Sequence, residues 1–150
     1  LDKILGVFKA YETRVGNGPM PTEFNDSDEA ESELCRKVRE TGREYGVTTG
    51  RARRCGYLDL VALRYACRVN SIDSLVLTDF PANVEAMERA KPILQKFIGW
   101  KTSLKDCRSY KKLPKNARTY VDFIEDYCGV PVGIISVGYE RDQTFIRKNP

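Results

Sequence analysis

Leu58-Asp59-Leu60-Val61-Ala62-Leu63-Arg64-Tyr65-Ala66-Cys67-Arg68-Val69-Asn70 is followed closely by Ser74-Leu75-Val76-Leu77-Thr78. In the first run Leu58, Val61, Ala62, Tyr65, Ala66 and Val69 recur at helical spacing, which predicts an amphipathic helix over Asp59 to Asn70. Asp59 stands near its start, where a carboxylate suits the helix dipole. The second run is short, apolar and bounded by polar residues, so it reads as a buried strand. A helix leading into a buried strand is the repeating unit of an α/β fold.

The same alternation extends in both directions. Ile4 to Tyr11 is apolar with β-branched and aromatic members and predicts a buried strand. Thr13 to Glu23 carries two glycines and two prolines, which prevent regular structure. Asp26 with Glu29 has capping-box spacing, so a polar helix is expected over about Ser27 to Glu40, with Thr41-Gly42 ending it. Its charges read as a solvated face. After Thr78, Phe80-Pro81-Ala82-Asn83 breaks the strand, and Val84 to Phe97 predicts a helix kinked or divided at Pro92. Gly99 to Leu113 is irregular and basic and reads as surface. Ala117, Tyr120, Val121, Ile124, Tyr127 and Cys128 mark one helical face, with Gly129 as its stop. Val130 to Gly138 is a strand running into a turn, and the tail to Pro150 is polar. The expected class is α/β, a largely parallel sheet flanked by helices.

In such sheets ligands collect beyond the carboxyl ends of the strands. The loops after Tyr11, after Thr78 and at Ser136 to Gly138 fall there, which predicts a composite site. Val47-Thr48-Thr49-Gly50-Arg51-Ala52-Arg53-Arg54 could join them. Arginine forks match carboxylate and phosphate oxygens, threonine hydroxyls donate to the same atoms, and Gly50 lets backbone approach a ligand. The stretch reads equally as an anion-binding loop or as a solvated basic turn.

The bulk properties exclude several classes. The chain has 150 residues, ordinarily one domain, with 41% hydrophobic and 31% charged residues. No apolar run approaches the ~20 residues of a membrane span, and no secretory signal is present. The net charge of +4 is too balanced to indicate a nucleic-acid interface. The basic residues outside the arginine stretch are dispersed, with no aromatic row for base stacking. Cys35, Cys55, Cys67, Cys107 and Cys128 lack the close spacing of a zinc or redox motif and fit a reducing cytoplasm, with Cys67 and Cys128 packing on apolar helical faces. There is no histidine, so chemistry would use carboxylates, lysine, tyrosine or residues from elsewhere. The chain begins at Leu1 without methionine, as expected of a piece of something longer.

The segments KAYETRVGNGPMPTEF (Lys9 to Phe24), REYGVTTGRARRCGYLDLVALRYA (Arg43 to Ala66) and YVDFIEDYCGVPVGIISVGYERDQT (Tyr120 to Thr144) resemble the C-terminal part of the adenylosuccinate synthetase family. The resemblance runs in order along nearly the whole chain. It implies that residues 1–150 are the C-terminal portion of a single adenylosuccinate synthetase domain with a P-loop-like fold. Family enzymes join L-aspartate to the six-position of a purine monophosphate, usually IMP, after GTP phosphorylates the purine oxygen. The resemblance implies an aspartate loop of Val47, Thr48, Thr49, Gly50, Arg51, Ala52 and Arg53. It places Val15, Gly16 and Arg51 against the ribose of the purine monophosphate. It places Arg53, Asp79, Ser136, Val137 and Gly138 at the phosphoryl-donor nucleotide, Arg53 bridging to the aspartate carboxylate. Arg54 receives no ligand. It further implies a homodimer in the cytoplasm (host cytoplasm if viral), and Mg2+ held mainly by a portion lacking here.

The family's catalytic aspartate and histidine and its glycine-rich phosphate loop have no counterpart in this chain, so no catalytic residue and no metal ligand are expected in it. The family's Lys-x-Asp after the strand-end threonine is Asp79 and Pro81 here, the following segment is shorter, and tyrosine replaces proline at Tyr139. A guanine pocket without its carboxylate implies ATP or dATP as donor. That fits the phage branch of the family, which acts on dGMP to make the diaminopurine deoxynucleotide precursor. A non-catalytic nucleotide-binding fragment is the remaining alternative.

Overall fold

The computed structural model describes residues 3–79, 95 and 97–149. Its main sheet has the order β1 (Leu5–Lys9), β4 (Ser74–Thr78), β5 (Val132–Ser136), β6 (Thr144–Ile146). The first three strands are parallel and β6 is antiparallel to β5. A second, two-stranded sheet pairs β2 (Glu12–Arg14) with β3 (Arg54–Gly56). The helices are α1 (Glu29–Gly42), α2 (Leu60–Val69) and α3 (Lys115–Cys128). The expected α/β class with a mostly parallel sheet is therefore the observed one.

Alternation along the strands decides what each face meets. Gly6, Phe8, Leu75, Leu77, Val132 and Ile135 share the face that builds the core, and Leu77, Val132 and Ile135 are fully buried. The predicted face of α3 packs there: Ala117, Tyr120, Val121, Ile124 and Cys128 are buried and Tyr127 is half-buried. Gly129 ends α3 in the left-handed region at φ 70, its N–H reaching the Glu125 carbonyl at 2.9 Å. The opposite sheet face carries a row in register, Val7, Val76, Ile134 and Ile146. Val7 and Ile146 on that row are exposed, as is Leu5.

Several expectations change. The buried stripe of α2 is Cys67 with Leu60 and Leu63, whereas Val61, Tyr65 and Val69 are exposed. The helix is apolar on two stripes, and only the positions of β4 and α3 decide which is covered. Asp59 caps it as the dipole argument suggests, accepting from the Ala62 N–H at 3.0 Å. The cap of α1 is Asp28 and not Asp26: Asp28 Oδ1 accepts from the N–H groups of Ala30 and Glu31. On α1 the charged side chains are solvated as expected, with Arg36 pairing to Glu33 and Glu40. Gly99 to Leu113 is mostly exposed as expected, yet it sends Trp100, Leu104, Cys107 and Leu113 into the core and holds a 3-10 turn at Tyr110–Lys112. The polar tail contains β6, which buries Phe145. Strand β1 is half-exposed at the sheet edge rather than buried. Irregular structure begins at Val15, since Thr13 and Arg14 pair with β3. The helix expected over Val84 to Phe97 falls almost wholly outside the described residues.

Candidate anion-binding site

Because β1, β4 and β5 run parallel, Lys9, Thr78 and Ser136 end at the same edge of the sheet. Lys9 Nζ stands 3.3 Å from Asp79 Oδ2, which joins the ends of β1 and β4. The same ammonium reaches Glu44 Oε1 at 2.5 Å. Glu44 follows the left-handed C-cap Arg43 of α1 and is buried, with 1% of its surface exposed. Tyr11 donates its hydroxyl to Glu44 Oε1 at 2.7 Å, and Arg53 Nη1 donates to Glu44 Oε2 at 2.8 Å. Burial by itself pushes the Glu44 carboxyl up, but the hydrogen bonds from Lys9, Tyr11 and Arg53 outweigh it and hold the group below the usual carboxylate range. Burial and the Glu44 carboxylate together push the Tyr11 hydroxyl far up, so it stays a proton donor. A charge relay of contacts therefore runs Asp79, Lys9, Glu44, Arg53, from the sheet edge into the arginine stretch.

That stretch is a closed turn. Gly46 N–H donates to the Arg51 carbonyl and Gly50 N–H to the Gly46 carbonyl, both at 2.8 Å, and Tyr45 and Ala52 form an antiparallel bridge below them. Val47 is 98% exposed, and Thr48, Thr49, Gly50, Arg51 and Ala52 are exposed with it. Gly50 has φ 64, and a Cβ there would meet nothing within 4 Å. Thr49 Oγ1 accepts from the Arg51 N–H at 3.3 Å. Arg53 alone of the predicted loop residues points inward, toward Glu44.

Arg54 joins a second segment to the first. It grips the Glu23 carboxylate with Nε and Nη2, and its Nη1 donates to the carbonyls of Gly16 at 3.2 Å and Gly18 at 2.8 Å. Val15 and Gly16 are thereby held beside β3 with the Val15 side chain exposed. Gly56 lets β3 lie against the Thr22 carbonyl, which an added Cβ would approach to 2.4 Å.

At the end of β5, Ser136 Oγ donates to the Gly138 carbonyl at 3.0 Å. Val137 turns its side chain into the core, so only its backbone is available to a ligand, and its N–H donates to Gln143 at 3.0 Å. Tyr139 donates its hydroxyl to the Thr41 carbonyl, and Arg43 lies over its ring at 4.9 Å, so one ring face packs against α1. The ends of β1, β4 and β5 thus share one edge, the arginine stretch is tied to it through Glu44 and Lys9, and the glycine loop is tied to β3 through Arg54.

The adenylosuccinate synthetase family model matches this chain over residues 1–80 and 76–145, in two pieces that overlap at the end of β4. The chain belongs to the adenylosuccinate synthetase family. It is 42% identical to the adenylosuccinate synthetase of Thermodesulfovibrio yellowstonii over 175 aligned positions, covering 100% of this chain and 40% of that protein. With the Hydrogenobaculum enzyme of that name the identity is 44%, over 93% of this chain and 37% of the relative. The fold matches a solved structure of fully ligated adenylosuccinate synthetase from Plasmodium falciparum with TM-score 0.83 and 34% identity, covering 99% of this chain and 40% of that one. The chain thus spans about two-fifths of the length of these adenylosuccinate synthetases.

The residues that motif reading overlooked are Lys9, Tyr11 and Glu44. All three lie within the segments that carry the family resemblance, yet their partners are 33 to 35 residues apart in sequence, which no local pattern reveals. Arg54, which the motif left without a ligand, is a structural clamp.

Proposed function

We propose that this chain supplies the substrate-binding portion of a purine-nucleotide ligase that joins L-aspartate to a purine monophosphate, IMP to adenylosuccinate, with nucleoside triphosphate hydrolysis, through a phosphorylated purine. The observation that carries this reading is the buried Glu44 holding Arg53 at the carboxyl edge of the sheet, next to the exposed hydroxyls of the turn. Arginine held in this way meets a carboxylate or phosphate without reorganising. In this reading Val47, Thr48, Thr49, Gly50, Arg51, Ala52 and Arg53 close over aspartate. Val15, Gly16 and Arg51 face the purine monophosphate. Arg53, Asp79, Ser136, Val137 and Gly138 border the donor nucleotide. The left-handed Gly50, with open space around it, suits a loop that closes and excludes water.

The proposal places residues 1–150 as the C-terminal portion of one domain. Mg2+ supplies charge neutralisation on the phosphates in this chemistry. The family resemblance assigns its ligands mainly to a portion outside this chain. The reading also includes a homodimer working in the cytoplasm. No helix among the described residues is long and apolar enough to cross a membrane.

A second reading concerns the donor and acceptor. Position 79 is an aspartate whose carboxylate is already paired with Lys9, and position 81 is proline. This favours ATP or dATP over GTP and is compatible with the phage branch, which acts on dGMP. The test is a chimera in which this chain replaces the matching segment of the Thermodesulfovibrio relative. Product mass is followed with IMP or dGMP, each with GTP or ATP and L-aspartate. Product with any pair supports the ligase reading, and strict GTP dependence refutes the second. The chain alone is expected to form none. No product from a folded chimera with any pair overturns the ligase reading in favour of a non-catalytic nucleotide-binding fragment.

A further inference from the structure

Resting on the reading of Arg53 as a ligand arginine, we propose that Glu44 is the positioning residue of this site: one buried carboxylate sets both the arginine that meets the ligand and the lysine that holds the Asp79 corner. The two carboxylate oxygens of Glu44 are divided among its partners. Oε1 takes Lys9 at 2.5 Å and Tyr11 at 2.7 Å, and Oε2 takes Arg53 at 2.8 Å. The Glu44 carbonyl also accepts from the Arg53 backbone N–H at 2.9 Å, so main chain and side chain of Arg53 are registered to the same residue. Gly42 makes room for this packing, since a Cβ there would stand 2.2 Å from the Tyr11 hydroxyl.

The guanidinium is partly committed within the protein. Its Nη1 is committed to Glu44, while Nε is buried without a hydrogen-bond partner. An unsatisfied buried donor is costly. Nε is also closed to solvent, so an anion meets the guanidinium only at what Glu44 and the surrounding packing leave open. By holding Nη1, Glu44 limits which guanidinium donors a carboxylate can meet.

Charge and geometry predict opposite effects of removing Glu44, which makes the proposal decidable. Lys9 and Arg53 offset Glu44 and Asp79, so the group of four is neutral overall. On charge alone, Glu44→Gln leaves an excess cation and tightens anion binding. On positioning, the same change frees Arg53 to rotate and weakens it.

The experiment uses the full 150-residue chain and nitrogen-resolved spectra of the Arg53 guanidinium, with and without L-aspartate. In the unaltered chain the Arg53 Nη protons are expected as separate signals, showing restrained rotation. In Glu44→Gln they are expected to merge, with L-aspartate affinity at least ten-fold weaker. Glu44→Asp keeps the charge but is one methylene short, and it is expected to behave like Glu44→Gln. Resolved Arg53 signals in a folded Glu44→Gln chain overturn the proposal, as does equal or tighter L-aspartate binding. So does wild-type affinity in Glu44→Asp. Should both variants fail to fold, acid titration of the unaltered chain decides: the separate signals must persist through the ordinary carboxylate range and be lost only below it. Their loss within that range overturns the proposal. If the unaltered chain shows restrained Arg53 signals but no response to L-aspartate, the ligand reading fails while the role of Glu44 stands.

Discussion

Lys9 Nζ lies 3.3 Å from Asp79 Oδ2, and this ion pair fastens the ends of two parallel strands whose residues are 70 positions apart in sequence. Both side chains are about 30% exposed, 31% and 29%, so solvent screens much of the attraction. Asp79→Asn is expected to cost about 0.2–1 kcal/mol, a small fall in melting temperature. Asp79→Lys places a second ammonium beside Lys9 and is expected to cost more than the neutral variant. A thermal melt of the three proteins checks the order.

Arg54 is a clamp built from three kinds of contact, and lysine cannot reproduce its fork. Arg54→Lys keeps the charge but loses the two-oxygen grip on Glu23 and the reach to Gly16 and Gly18. The expected outcome is faster amide hydrogen exchange between Val15 and Glu23, with exchange in β4 and β5 unchanged.

Two glycines beside the arginine stretch differ in kind. At Gly50 a side chain finds open space but must adopt φ 64, so Gly50→Ala should cost about 1–2 kcal/mol and leave the fold intact. At Gly56 the new Cβ would stand 2.4 Å from the Thr22 backbone carbonyl, where nothing flexible can give way. Gly56→Ala is expected to be clearly the more destabilising, which denaturant unfolding of the pair measures.

The acid response follows from carboxylates held below their usual range. At Glu44 burial pushes upward, but the Lys9, Tyr11 and Arg53 hydrogen bonds win. At Glu125 burial is likewise outweighed by Lys148, Arg147 and the Val132 N–H. A folded pKa below the unfolded value gives stability that is fully present above the unfolded value, about 4.3 for glutamate, and lost as pH falls through the folded one. Stability is therefore expected to drop as pH falls below ~4. Glu44→Gln should lower stability at neutral pH and make its loss in acid shallower. Denaturant midpoints across that range check both.

Core membership can be tested where sequence and structure disagree. Leu104 lies in an aperiodic stretch yet is fully buried, so Leu104→Ala should cost about 2–5 kcal/mol. Tyr65 sits on a helical apolar stripe yet is 68% exposed, so Tyr65→Ala should stay within about 0.5 kcal/mol. The reverse order in thermal melts of this chain would contradict the packing described.

The sequence by itself determined the alternation of helix and strand, the core face of α3 with its stop at Gly129, and the family. Each of these is written in local periodicity, in a residue's backbone freedom or in a contiguous motif. Tertiary structure alone decided which stripe of α2 is covered, because a helix with two apolar stripes does not state which one meets a sheet. It also brought Trp100, Leu104, Cys107 and Leu113 into the core, since an irregular segment has no period to announce its burial. The Asp79, Lys9, Glu44 and Arg53 relay was likewise decided there. A buried charge takes its meaning from partners that only the folded chain brings within hydrogen-bond distance, and Glu44, read alone, is one more polar residue after a helix.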